Sequence, residues 1–240
     1  MPSFLKHLHT LFTFIALLSL FIISSNAALS STIATWHGDP NGFGANGSAC
    51  GYTDILGKAP FYKMVSAGGS ALFKSGIGCG TCYQVKCTSN PACSGYPVTV
   101  TISDFCSGTC GAYQFDLGGA AFGAMAIHGR EDELRHAGQV QIQYQRVPCR
   151  YSGFKLAFRI DSGLNPFYFG AAMEYQNGAG DITRVEIQNG ASGVWLPMKQ
   201  SCGAVWKINT AMFGPLYFCI TSSFRWDGSI IRCTIHMLIL

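Results

Sequence analysis

The sequence predicts a mainly β protein built from two domains. Three observations carry this. Of its 240 residues 29 are glycine and only 12% are charged, against usual levels of about 7% and about a quarter, which suits strands and tight turns. Short segments alternate apolar and polar residues along most of the chain, as half-buried strands do. The eleven cysteines are uneven: Cys50, Cys79, Cys82, Cys87, Cys93, Cys106, Cys110 and Cys149 precede position 150, and only Cys202, Cys219 and Cys233 follow it. A stapled first domain therefore leads into a second that relies on its core. With 48% hydrophobic residues and a mean hydropathy of +0.23, both halves have material for packed interiors, and disorder is excluded.

Taken in chain order, the first element is a cleaved leader. Lys6, His7 and His9 precede the apolar stretch Leu11 to Ile23, and Ser25-Asn26-Ala27 offers small residues for cleavage after Ala27. Thirteen helical residues rise about 20 Å, short of a roughly 30 Å hydrocarbon core, so no integral membrane span is expected. Residues 28–240 are thus expected to be secreted into an oxidising space, where cysteines pair. Asn46-Gly47-Ser48 is a glycosylation sequon there, or an unmodified Gly-rich loop.

Residues 28–150 form the first domain. Alternation predicts strands over 83–87, 98–103 and 139–147, and short helices over 120–127 and 131–136. The segment 146–153 (RVPCRYSG), with Pro148 and Gly153, reads as a short linker. In the second domain, 154–240, strands are predicted over 155–160, 169–175, 182–188, 194–199, 205–209 and 216–222. Asn177-Gly178 and Asn189-Gly190 read as hairpin-type turns. Short strands at near-regular spacing without helices predict an immunoglobulin-like β-sandwich.

The formal charge is +4, and no two basic residues adjoin, so nucleic acid is excluded as a partner. A neutral or weakly acidic ligand fits better; no cofactor and no metal is expected, and the chain is expected to be a monomer.

Ordered blocks then narrow the reading: Ala34-Thr35-Trp36-His37-Gly38, Ala49-Cys50-Gly51-Tyr52, Gly78-Cys79-Gly80-Thr81-Cys82-Tyr83, Gln114-Phe115-Asp116-Leu117, Ala121-Phe122-Gly123-Ala124-Met125-Ala126, Leu134-Arg135-His136-Ala137-Gly138, Val147-Pro148-Cys149 and Gly203-Ala204-Val205-Trp206. Together these resemble an expansin, specifically a β-expansin, up to about Pro215. The resemblance implies a secreted plant cell-wall protein with a six-stranded double-psi β-barrel followed by a carbohydrate-binding β-sandwich. It implies loosening of walls by disruption of non-covalent contacts between cellulose and matrix glycans of the xylan or xyloglucan type, without hydrolysis. It also implies the pairings Cys50–Cys79, Cys82–Cys149 and Cys87–Cys93, which spacing alone does not select. Cys106 and Cys110 are placed to pair locally. A zinc site of Cys79, Cys82, Cys106 and Cys110 is the rival, disfavoured by secretion.

Inverting hydrolysis needs an acid and a base about 6.5–9.5 Å apart. By resemblance, Asp116 matches the general acid of related endoglucanases. Asp104 ends the strand VTVTIS of the same domain, and is a catalytic-like group or a strand-end cap. Asp39 lies in the turn-forming loop GDPNG, and no base is well placed. Thr35, Trp36 and His37 are expected to contact sugar through a hydroxyl, an indole face and an imidazole. Two residues depart from the family pattern: His37 stands for its Tyr, and Gln114 for its His.

Glucan ribbons stack on rows of surface aromatic rings. Tyr168 falls at one such position by resemblance, while Cys202 replaces the Trp expected at another. Trp195 or Phe167 would have to substitute. From Phe224 to Leu240 the family pattern is lost, and this apolar tail reads as an added edge strand or an exposed segment. Besides wall loosening, two further readings stand: a weak inverting endoglucanase, and a secreted carbohydrate-binding protein without loosening activity.

Overall fold

The computed structural model describes residues 29–45, 47–161, 163, 165, 167–190, 192–223 and 234–238, the last by backbone alone. The predicted leader 1–27, the sequon residue Asn46 and Cys233 lie outside the described residues.

Six strands close the first domain: β1 (Ser30–His37), β2 (Val65–Gly68), β3 (Cys82–Cys87), β4 (Val98–Phe105), β5 (Phe115–Gly118) and β6 (Gln139–Val147), in the barrel order β1-β5-β2-β4-β3-β6. The pairs β1·β5 and β2·β4 are parallel and the other neighbours antiparallel. Val85 of β3, Val100 and Ile102 of β4, Phe115 and Leu117 of β5, and Ile142 of β6 fill the interior at alternate positions. The predicted strands β3, β4 and β6 are present. Strands β1, β2 (VSAG) and β5 (FDLG) escaped prediction; in β2 and β5 nearly every residue is buried and the alternation that marks a half-buried strand is lost.

Three short helices decorate the barrel: α1 (Ser70–Phe73), α2 (Gly119–Gly123) and α3 (Glu131–His136). The helix predicted over 120–127 stops at Gly123. Beyond it Ala126 bridges to Cys93 and the Ile127 amide donates to the Ala92 carbonyl, so backbone pairing replaces the helical ladder.

The second domain has two four-stranded sheets. Its strands are β7 (Ala157–Ile160), β8 (Phe169–Glu174), β9 (Arg184–Asn189), β10 (Leu196–Pro197), β11 (Lys199–Cys202), β12 (Val205–Ile208), β13 (Leu216–Thr221) and β14 (Thr234–Leu238). The sheet orders are β10-β9-β13-β14 and β11-β12-β8-β7. Phe169, Met173, Val185, Ile187, Trp206 and Phe218 fill the space between them, and Phe158 stacks on Phe218 at 4.3 Å.

Two local expectations are corrected here. The single strand predicted over 194–199 is split, because the chain changes sheet at buried Met198. Asn177-Gly178 is not a hairpin turn: β8 and β9 belong to different sheets, and Gly178 instead bridges to Cys149. In the tail, β14 pairs antiparallel with β13 at the edge of its sheet, the first of the two outcomes left open.

The junction is a packed seam rather than a loose linker. Cys50, Tyr52, Phe61, Cys82, Cys149 and Tyr151 share one apolar cluster with Ala204 of the sandwich. The Ala204 amide donates to the Cys50 carbonyl (2.9 Å), Arg159 donates to the Gly51 carbonyl, and Arg146 pairs with buried Asp181 (3.0 Å). Gly80 and Gly180, both at positive φ, meet backbone to backbone; a Cβ on Gly180 would lie 2.3 Å from the Gly80 oxygen.

Disulfides join Cys50–Cys79, Cys82–Cys149 and Cys87–Cys93, as the resemblance implied, and also Cys106–Cys110. The four thiols of the rival zinc reading are thereby consumed in three different bridges. Cys219 is disulfide-bonded too, and Cys202 is free and exposed.

Candidate functional site

Strand register assembles the site. Thr35 of β1 lies opposite Asp116 of β5, Asp116 opposite Ala67 of β2, and Ala67 opposite Asp104 of β4. Four neighbouring strands therefore carry Thr35, Asp116, Ala67 and Asp104 in one row. Asp116 and Asp104 are two strand spacings apart, about 10 Å between their backbones.

Asp116 is half-buried and both its oxygens are engaged. The Thr35 hydroxyl donates to Oδ1 at 2.7 Å, and His37 Nδ1 lies 3.0 Å from Oδ2. The imidazole N–H is not aimed along that line, so the contact is an ion pair by proximity rather than an aligned hydrogen bond. Burial pushes the Asp116 carboxyl up, but the contacts with His37 and Thr35 outweigh it and hold the group below its ordinary value. His37 moves the other way: the contact with Asp116 raises it, burial opposes, and the charges of Asp116 and Asp104 add to the rise. Gln114 extends the network, donating to the Thr35 hydroxyl oxygen at 3.2 Å and accepting from the Gly111 amide at 3.0 Å.

The His37 ring fits because Gly44 faces it. A Cβ on Gly44, whose φ is +102°, would lie 2.3 Å from His37 Nε2. Sequence reading missed this glycine; its signal was the Gly-rich loop between Gly38 and Gly47.

Asp104 accepts from the Ala49 amide (2.6 Å) and from its own neighbour Phe105 (2.8 Å), the geometry of a strand-end cap. Asp39 is exposed and caps its turn by accepting from the Asn41 amide at 2.8 Å. Trp36 is placed on the opposite side of β1 from Thr35 and His37. Its ring packs against Phe122 at 6.4 Å and its N–H donates to the Arg135 carbonyl at 3.0 Å, so the structure does not bring the indole to the row.

The row continues onto the sandwich. Ala49, bound to Asp104, precedes Cys50, whose backbone packs against Gly203, and Gly203 follows Cys202. Tyr168 lies over Gly170 of β8 and donates its hydroxyl to Asp161 at 2.7 Å. The Asp161 contact, with burial adding, pushes the Tyr168 phenol up to about 12. Trp195 adjoins β10 in the other sheet and does not join Tyr168; Phe167, next to Tyr168 in the chain, is 78% exposed. Among the described residues no group of three or more His, Cys, Asp or Glu is arranged to hold a metal, and no helix is long and apolar enough to cross a membrane.

A closed barrel with two parallel pairings, a row of polar groups across its strands and a sandwich packed on its flank define a double-psi β-barrel protein with an appended β-sandwich. A family model described as lytic transglycolase, of the double-psi barrel class, matches residues 65–144, and one described as the expansin C-terminal domain matches residues 156–230. Expansin-B11 of rice is 48% identical over 79% of this chain and 67% of its own length. Expansin-B4 of Arabidopsis thaliana is 44% identical over 87% and 86%. The chain belongs to the expansin family, on its expansin-B branch. Its fold is shared by an expansin of Clavibacter michiganensis at a TM-score of 0.65 and 23% identity, covering 89% of this chain and 92% of the other. A mutant of that protein has been solved in complex with cellohexaose.

Proposed function

We propose that this protein is secreted to the plant cell wall and loosens it without hydrolysis, by binding cellulose and matrix glycans and displacing their non-covalent contacts. The observation that carries this is the commitment of the carboxylates. Asp116 spends one oxygen on Thr35 and the other on His37, and Asp104 is taken up by two backbone amides. An inverting mechanism needs a protonated acid and a base free to hold water. Here the acid is held ionised beside a cation and the second carboxylate is a cap, while Thr35, His37, Gln114 and Asp116 together present donors and acceptors suited to sugar hydroxyls. Tyr168, with exposed Phe167 beside it, supplies the aromatic part of the surface. Family membership and the cellohexaose complex of the bacterial relative support the same reading.

One observation favours weak inverting hydrolysis as a second reading: Asp116 and Asp104 stand in one row at a backbone separation compatible with a water between carboxylates. The two are separated by one assay, extension of isolated walls under load with reducing sugar measured in the same sample. Extension without sugar release is expected. Sugar release abolished by Asp116→Asn would replace loosening with hydrolysis.

A further inference from the structure

The barrel wall away from the Asp116 row carries a second ordered set of side chains that wall loosening through the row does not use. Register places Thr99 of β4 opposite Gln84 of β3, and Gln84 opposite Gln145 of β6; the next row places Lys86 opposite Gln143. All five alternate with the buried residues Val85, Val100 and Ile142, so they stand together on the outer surface. Gln145 donates its amide to Gln84 at 3.0 Å, which fixes both carboxamides and leaves each with further donors or acceptors for a ligand. Two hollows meet at Gln84. One of about 130 Å³ includes Leu29, Pro97, Gln143 and Gln145, and one of about 480 Å³ includes Thr99, Val147, Pro148 and Arg150. Tyr96, next to Pro97, is 77% exposed at the margin. Lys86 also lines the first hollow, and among the described residues no Asp or Glu lines either.

We propose that this β4-β3-β6 face is a second glycan-binding surface, taking a neutral, hydroxyl-rich polysaccharide chain. Carboxamides donate and accept at once, matching vicinal hydroxyl groups, and the aliphatic edges of Leu29, Pro97, Val147 and Pro148 suit the C–H faces of sugar rings. A protein holding one chain on the Asp116 row and another on this wall would sit between two polymers. The inference does not depend on what the row does.

The test is a titration of the full secreted chain, followed by the NMR signals of the glutamine side-chain amides, with cellohexaose, with a β-1,4-xylose hexamer and with a galacturonate hexamer. The expected result is movement of the Gln84, Gln143 and Gln145 amides with a neutral hexamer. The movement persists in Asp116→Asn, and the double variant Gln84→Ala/Gln145→Ala binds at that face about fivefold more weakly, as loss of one or two hydrogen bonds implies. Amides that stay in place at millimolar neutral sugar, a double variant that binds like the parent, or salt-sensitive binding of the galacturonate hexamer alone at this face would each overturn the proposal. The parent's own signals decide the matter if the double variant fails to fold. Failure of wall loosening is read separately, by wall extension.

Discussion

At the scale of single residues, the pairing of His37 with Asp116 ties the Asp116 row to pH. His37 is raised above 6.5, so its share of the pair's stability is present below that value and lost as pH climbs through the raised one. Asp116 is lowered below 3.8, so its share is present above 3.8 and lost as pH falls through the lowered one. The pair is therefore intact between about pH 4 and the mid-sixes, the acidic range. In Asp116→Asn, NMR titration should show the His37 pKa falling below its value in the parent. The stability difference between parent and variant, no more than about 1 kcal/mol for so accessible a pair, should peak inside that window. An unchanged His37 titration would remove the coupling. Gly44→Ala tests the seat of the ring: a left-handed backbone and a contact with imidazole predict a loss of about 1–3 kcal/mol in denaturant unfolding, together with a shifted His37 signal. Thr35, His37 and Asp116 were legible as candidates in the sequence because the resemblance marked their blocks. What the sequence withheld was side: a strand alternates faces, and three consecutive residues, Thr35, Trp36 and His37, cannot all address one ligand. That is why Trp36 ends on the helix side.

Elements show where local patterns run out. Strands β3, β4 and β6 announce themselves through alternation, whereas β2 and β5 are only four residues long and nearly every residue in them is buried. Yet β5 carries Asp116 and β2 separates the two carboxylates, so the row is built partly on elements the pattern hides. In the sandwich the pattern reads better: the strand predicted over 205–209 is β12, and its pairing with β11, irregular between Gln200 and Cys202, leaves Cys202 exposed. Cys202 is exposed where the family pattern has Trp, so Cys202→Trp should raise affinity for insoluble cellulose about tenfold, the scale of one stacked ring, in a sedimentation binding assay. Tyr168→Ala should lower it by a similar factor. Equal binding by both variants would take the sandwich face out of the binding surface.

The whole molecule unfolds as its seam dictates. One apolar cluster draws on both domains, two ion pairs and two backbone contacts cross or brace the junction, and the Cys82–Cys149 bridge ties barrel to junction. Calorimetry should therefore show a single cooperative transition rather than one for each domain. Gly180→Ala, which drives a Cβ into the Gly80 carbonyl, should cost about 2 kcal/mol and lower that one transition by several degrees, without splitting it. Two separated transitions in the parent would show the seam to be incidental.

That seam also sets what the protein can measure. Glycines packed backbone to backbone bring barrel and sandwich into direct contact, and on the proposed reading this holds the Asp116 row and Tyr168 at one spacing. A coiling polymer would have to give up conformational freedom to lie along both, while one already straight over several sugars gives up little. On the proposed reading, a glycan lying along both ends is therefore selected for straightness before any side chain selects its sugar.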